Sequence, residues 1–172
     1  EGKRLIASSL HKFEFMKMYN TRMDNYQLST YRNFIEDLEL NRKKGEIRLS
    51  DRNIGLQISN VVYSNNKEDR FTNCFGWTGY DRFIRENIER RQKKCTYRNL
   101  SNPLFDIENL KNISSKIHTI IHNLMESKSE GIIFIYSEFI YSGILPFALA
   151  LEHLGFEKYG GQNILNYPEW KD

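Results

Sequence analysis

The residue types best suited to binding chemistry lie between residues 136 and 143, where a polar turn follows a short apolar run. Residues 132–136 are β-branched and aromatic, which predicts a strand buried on both faces, as in parallel sheets. Ligands of such sheets collect at the carboxyl ends of the strands, and free backbone N–H groups at a helix start favour an anion. The candidate residues for holding a phosphate here are Tyr136, Ser137, Ser142 and Gly143.

A simpler alternative accounts for the same serines. In it, Ser137 and Ser142 only cap and turn the chain, while Phe139 and Tyr141 belong to the core. The acidic Glu138 also opposes an anion at this turn. On the residues alone, both interpretations stay open.

The turn is expected to lead into a helix. Residues 144–154 are apolar nearly all round, so this helix is expected to pack against a sheet or between layers. Pro146 fits only in the first turn, which places the helix start near Ser142 or Gly143. Strand, polar loop and helix make half of a βαβ unit, and the predicted fold class is therefore α/β.

The most basic stretch of the chain is residues 80–94. It is predicted to be a charged helix with a narrow apolar stripe at Phe83, Ile84 and Ile88. A solvated face is the ordinary role of such charges, and the alternative is a patch that faces nucleic-acid phosphates. The basic residues of this candidate patch are Arg82, Arg85, Arg90, Arg91, Lys93 and Lys94.

Other patterns give weaker signals. Gly76 and Gly79 have the spacing of GxxG loops that clamp nucleic-acid backbones, but an ordinary aromatic-rich turn explains them better. His118 and His122 lie four apart on a predicted helix without a third ligand, so no metal site is expected. No nucleophile has a base near it in the sequence, and no catalytic residue is predicted.

Composition limits the class of protein. With 172 residues, a formal net charge of +3 and a pI near 8.8, the chain has a mild basic excess that permits a nucleic-acid partner without requiring one. Cys74 and Cys95 lack CxxC spacing and predict free thiols in a reducing compartment. There is no secretion signal and no apolar run long enough to span a bilayer, so no membrane partner is expected.

Helices dominate the expected organisation before the basic stretch. Residues 11–19 predict a strand. After it, Asp24 is expected to cap an amphipathic helix, with Gln27 completing a capping box. Gly45 is expected to stop this helix, and residues 54–63 fit either a short helix or a strand.

A boundary is predicted at residues 99–103, where the pattern breaks at a proline. After it, Asn112 or Ser114 is expected to cap a second amphipathic helix that leads to the strand at 132–136. The predicted division is a mostly helical connector at residues 1–98 and the beginning of an α/β lobe at residues 99–172.

This order of elements resembles the opening of the second RecA-like lobe of superfamily 2 helicases. The residues from 114 to 156 that carry the resemblance are SSKIHTIIHNLMESKSEGIIFIYSEFIYSGILPFALALEHLGF, with IIFIYSEF in the place of the family's motif IV. They resemble in particular the helicases of large DNA viruses, the group that includes the poxvirus early transcription factor small subunit. Upstream, YNTRMDNYQLSTYRNF and LQISNVVY are also similar to this group.

The resemblance implies a fragment of an ATP-dependent helicase or translocase, with a partial RecA-like parallel sheet after a mostly helical connector. The expected partners are DNA or RNA and the missing ATP-binding lobe of the same protein. The expected location is the virion or the viral factory in the host cytoplasm. The phosphate held at Ser137 and the turn at Ser142 and Gly143 would then belong to a nucleic-acid backbone.

The departures from the family pattern limit this role. The chain has no GxxxxGK[ST] phosphate loop, no Asp-Glu pair of the DExx type and no late arginine-rich motif. ATP and Mg²⁺ are therefore expected for the parent protein, and no motif of this chain binds them. The ATP-binding lobe is expected before residue 1 and the arginine finger after residue 172. The alternative function is a non-catalytic nucleic-acid-binding or transcription-factor module.

Overall fold

The structure is a computed structural model that describes residues 18–41, 46–64, 66–89, 92–126 and 132–166. Within these ranges it contains six α-helices and one two-stranded antiparallel sheet, so the prediction of a mixed helix and sheet protein is confirmed at this level. The elements are α1 (Asn25–Asn41), α2 (Leu49–Asn60), α3 (Gly76–Phe83), β1 (Ile84–Glu89), β2 (Gln92–Tyr97), α4 (Ile107–Ile113), α5 (Ser115–Glu126) and α6 (Leu145–His153).

Two short turns complete the order of elements. A 3₁₀ turn at Phe71–Asn73 precedes α3, and a π-type turn at Ile140–Ile144 precedes α6. Pro146 lies in the first turn of α6, as predicted from its missing N–H. The predicted strand at residues 11–19 lies almost wholly outside the described residues, as does Gly45.

The basic stretch is a β-hairpin, and the prediction of a helix across residues 80–94 is wrong. Helix α3 ends at Phe83, and β1 then pairs with β2 so that Ile84 lies opposite Tyr97. Successive side chains of a strand point to opposite faces, and this alternation buries Ile84, Cys95 and Tyr97. The stripe of Phe83, Ile84 and Ile88 fitted a helix by spacing, but Ile84 and Ile88 also share one face of a strand.

A third segment covers the other edge of β2. The Cys95 N–H donates to the Ile164 carbonyl and the Asn166 N–H to the Cys95 carbonyl, both at 2.7 Å. The Glu152 carboxylate of α6 accepts the N–H groups of Ile164 and Leu165, at 3.1 and 2.7 Å. This single bridge, between Cys95 and Leu165, is the only parallel strand pairing in the part of the chain that the structure describes.

Residues 132–136 are not buried on both faces, and that prediction is wrong for this chain. Ile132, Phe134 and Tyr136 are 101%, 86% and 80% exposed, whereas Ile135 packs against the core. Ile133 is also 55% exposed, so Ile135 is the one residue of this segment that packs against the core, and the structure forms no strand at residues 132–136. No backbone hydrogen bond joins it to another described residue, because no described strand lies beside it.

The core has two parts. The larger cluster takes its members from both sides of residue 99, from Val61 to Leu165. The smaller cluster packs α1 against α2 around Phe34 and Ile58. Cys74 and Cys95 are free and buried, and burial raises the pKa of the Cys74 thiol to about 11. The predicted division of the chain at residue 99 stays a prediction.

Gln27 joins three helices, which corrects its predicted capping role. Its side chain is fully buried, and its Nε2 donates to the carbonyls of Ile58 and Ser59 at the end of α2, each at 3.1 Å. Its Oε1 accepts the backbone N–H and the hydroxyl of Ser115 at the start of α5, at 3.0 and 3.1 Å. We call this set of four bonds the Gln27 joint. It pairs backbone groups that helix ends leave without an intrahelical partner.

The predicted cap of α5 is confirmed at Ser114. The Ser114 hydroxyl accepts the N–H of Ile117 at 3.1 Å, which is the usual bond of a serine N-cap. The same hydroxyl donates to the Asn60 carbonyl at the end of α2. The ambiguous residues 54–63 are helical as far as Asn60 and then form a buried non-helical segment.

Candidate nucleic-acid interface

Two sets of candidate residues from distant parts of the sequence meet at Tyr141. The Tyr141 ring centre lies 5.0 Å from that of Trp77 and 5.2 Å from that of Tyr80, both on α3. The Lys93 ammonium of the hairpin lies 5.7 Å from the Tyr141 ring centre, within cation–π range. We call Trp77, Tyr80 and Tyr141 the aromatic shelf. It places the polar turn at residues 137–143 and the basic hairpin on one surface.

Hydrogen bonds hold the turn against α3. Gly76 opens α3 with a φ of +60°, a conformation that favours glycine, and its N–H donates to the Ser142 hydroxyl at 2.7 Å. The Ser142 hydroxyl donates in turn to the Gln57 side-chain oxygen at 3.1 Å. The buried Tyr63 hydroxyl donates to the Tyr141 carbonyl. These bonds fix the turn that carries Tyr141 against the start of α3, which carries Trp77.

The predicted phosphate-holding residues occupy different environments. Ser142 is buried and its hydroxyl already makes the two bonds described above. The Ser137 hydroxyl donates to the Phe139 carbonyl at 3.2 Å and accepts the Phe139 N–H at 3.3 Å. Gly143 is buried so tightly that an added Cβ would lie 1.9 Å from the Ser137 Oγ. Tyr136 alone is exposed. The two hydroxyls make the bonds that the cap-and-turn alternative requires, and their phosphate role stays a prediction.

Two members of the predicted basic patch have structural contacts. Arg82 forms an ion pair with Asp69 at 3.2 Å and donates to the Asn73 carbonyl at 3.1 Å. Lys94 donates to the Asn163 carbonyl at 2.7 Å, beside the segment that covers β2. These two cations therefore hold loops against α3 and the hairpin.

Lys93 and Arg85 lie on the two strands of the hairpin. Lys93 pairs with Glu86 across the hairpin at 2.9 Å, and this hydrogen bond raises the pKa of the lysine. Arg85 is exposed on β1 and forms no ion pair with another described residue. Arg90 and Arg91 connect the strands in sequence and lie outside the described residues.

The hairpin carries a charge excess equal to that of the whole chain. Residues 84–97 contain five basic and two acidic side chains, a net +3, and the formal net charge of the complete sequence is also +3. The rest of the chain is therefore balanced. Ile88 of β1 is 82% exposed among these charges. The hairpin and the adjoining shelf thus combine positive charge with apolar surface.

A separate cleft lies between residues 20–24 and the helices α4 and α5. It has a volume of about 510 Å³, and its lining includes Arg22, Lys111 and His118 together with the acidic Asp24. Burial, followed by the nearby His122 and Lys111, lowers the pKa of His118. The rings of His118 and His122 are 6.3 Å apart, and no group of three or more metal-ligating side chains occurs within the described ranges.

Sequence reasoning missed the aromatic shelf as a site. In the sequence, Trp77 falls within the predicted aromatic-rich turn, and Tyr141 belongs to the core only in the cap-and-turn alternative. Neither pattern brings the two residues together. The signal that was available is the position of Trp77 inside the GxxG run, a few residues before the most basic stretch. Gly79 supports the turn interpretation of that run, since an added Cβ would lie 2.6 Å from the Cys74 carbonyl carbon.

Comparisons with known proteins leave the chain to be interpreted from its own residues. No protein family, no curated protein and no solved structure matches it. None of the described helices has the length and apolar character needed to cross a membrane.

Proposed function

We propose that this chain is a piece of an ATP-dependent nucleic-acid helicase or translocase of superfamily 2 from a large DNA virus. In this proposal it supplies nucleic-acid contacts and couples the two lobes, while the parent protein binds ATP and Mg²⁺ elsewhere. Its partners are DNA or RNA and the ATP-binding lobe, in the virion or the host cytoplasm. The support from sequence is the resemblance of residues 114–156 to the motif IV region.

The observation that carries the proposal is the exposed segment at residues 132–136. Ile135 packs on the core, whereas the other four residues are exposed: Ile132, Ile133, Phe134 and Tyr136. Its backbone has no partner among the described residues. A strand with apolar residues on both faces is suited to the interior of a parallel sheet. In the parent protein, we propose that further strands and helices complete a RecA-like sheet around it.

The coding sequence around this chain tests the proposal directly. We expect a phosphate-loop lysine within GxxxxGK[ST] upstream and an arginine-rich helicase motif downstream in the same reading frame. The reason is that residues 1–172 contain neither of these motifs, while ATP hydrolysis in the family needs both. Sequencing the flanking reading frame is the measurement. A reading frame in which both motifs are absent would rule out the helicase proposal.

The second candidate function is a non-catalytic nucleic-acid-binding module. The concentration of the net charge in the hairpin favours it, because phosphate contacts supply most of the affinity in sequence-independent binding. Arg85 is the clearest contact residue, since it is exposed and forms no ion pair with another residue that the structure describes. This candidate differs from the first in requiring no further domain.

Salt dependence measures the hairpin contribution. We expect the chain to bind nucleic acid with an affinity that falls steeply as salt rises, because each phosphate contact releases counterions. Arg85→Gln should weaken binding and reduce the slope of the logarithmic salt plot by about 1. Arg32→Gln, at an exposed site on α1, is the matched control and should leave the slope unchanged. Fluorescence anisotropy at several salt concentrations gives both values. Binding that is insensitive to salt, or equal effects of the two variants, would contradict this role.

A further inference from the structure

We infer that the aromatic shelf binds an unpaired base of single-stranded nucleic acid, which stacks on Trp77 while the hairpin holds the adjoining phosphates. This inference rests on the proposed nucleic-acid function and names the form of nucleic acid that the site takes. Trp77 is the exposed member of the shelf, at 48%, whereas Tyr80 is fully buried. An exposed indole ring beside positive charge has the two features that single-strand sites combine.

The ring is held in place before any ligand arrives. Trp77 follows Gly76, whose N–H is bonded to Ser142, and its ring meets that of Tyr141 edge-on at an interplanar angle of 69°. The Tyr80 ring lies 5.9 Å from the indole, and the Tyr80 hydroxyl is 3.2 Å from the Cys95 sulfur of β2. A ring that is already ordered loses little freedom when a base stacks on it.

The charge next to the ring suits a nucleic-acid backbone. The Lys93 ammonium lies beside the Tyr141 ring, on the face of the hairpin that meets the shelf, whereas Arg85 is on the opposite face. A base and its phosphate are linked through one sugar, so a stacking ring and a cation must lie close together to engage both. Duplex bases are already stacked on one another, and the site therefore selects unpaired strands. Stacking uses the π-face that every base has, so DNA and RNA strands share this chemistry.

Fluorescence of Trp77 tests the inference. The sequence has two tryptophans, and Trp170→Phe leaves Trp77 as the only one. We expect oligothymidylate and oligouridylate of about 16 nucleotides to quench this fluorescence saturably, with little quenching by a duplex of equal length. Trp77→Leu should weaken single-strand binding by about tenfold, while Trp77→Phe, which keeps a ring, should retain most of it. The affinity for a duplex, which binds through the hairpin, should be equal in the unaltered chain, Trp77→Leu and Trp77→Phe.

The outcomes separate this inference from the function on which it rests. Salt-dependent binding of single strands without quenching, and without a difference between Trp77→Leu and Trp77→Phe, overturns the stacking site but leaves the nucleic-acid function standing. Absence of binding to any strand overturns both. Quenching by DNA alone or RNA alone supports the site and identifies the sugar that it accepts. The quenching measurement needs only Trp170→Phe, so it decides the matter even if Trp77→Leu does not fold.

Discussion

Replacing Gln27 with leucine is expected to lower the free energy of unfolding by about 3 kcal/mol, because buried polar groups left unpaired cost about 1–3 kcal/mol each. The Gln27 joint satisfies two carbonyls at the end of α2 and two donors of Ser115, and leucine can pair with none of them. Leucine has a similar volume, so the loss reports the hydrogen bonds and not a cavity. Urea unfolding followed by circular dichroism measures the change.

The control for this prediction is an exposed glutamine. Gln92→Leu changes the same side chain at the start of β2, where the glutamine is exposed. Surface substitutions of this kind stay within about 0.5 kcal/mol. Equal unfolding midpoints for Gln27→Leu and the unaltered chain would show that the joint contributes nothing to stability.

Replacing Gly79 with alanine is expected to cost about 2–3 kcal/mol, the range found for overpacking in a dense interior. The added Cβ would lie 2.6 Å from the Cys74 carbonyl carbon and 2.9 Å from the Tyr63 ring. The first of these atoms belongs to the backbone, so relief requires α3 to move as a whole. Helix propensity alone predicts the opposite sign, because alanine is better than glycine inside a helix by about 1 kcal/mol. The direction of the change in unfolding midpoint therefore distinguishes the two effects.

Gly161→Ala is the matched control for Gly79. An added Cβ at Gly161 meets only the Lys158 side chain, at 3.8 Å and beyond, which is ordinary contact. We expect Gly161→Ala to change the free energy of unfolding little. Because Trp77 and Tyr80 lie on α3, Gly79→Ala should also alter the fluorescence of Trp77 in the Trp170→Phe background. A Gly79→Ala protein that is more stable than the original would contradict the packing around α3.

Local signals in the sequence were sufficient for several elements. The serine cap of α5 needs one hydroxyl and one N–H three residues further on. Ser114 supplies the hydroxyl and Ile117 the N–H. The position of Pro146 in the first turn of α6 follows from its own missing N–H. Such features need no information about distant residues, and this is why they were predicted correctly.

The hairpin and the shelf depend on distant residues. The spacing of Ile84 and Ile88 fits a helix and a strand equally, and their pairing with Tyr97 and Lys93 decides between the two. Gln27 fitted a capping box by spacing, but its partners lie on α2 and α5. For the candidate site, the sequence identified the basic residues and the polar turn separately. It gave no sign that Tyr141 joins them.

The exposed segment at residues 132–136 shows a further limit of sequence patterns. An apolar run at residues 132–136 indicates that both faces of a strand are to be covered. It does not indicate whether the covering residues belong to the same chain. In this structure Ile135 is covered, while Ile133 and the other residues of the segment are exposed.

The contact between β2 and residues 162–166 has a consequence for the order in which the protein folds while it is being synthesised. Lys94 is bonded to Asn163 across 69 residues of chain. A ribosome releases the hairpin long before it releases this partner, so the edge of β2 is uncovered while α4, α5 and α6 are synthesised. Closing such long-range contacts is slow compared with forming helices. The last strand contact is therefore expected to complete folding only when nearly the whole described chain has emerged.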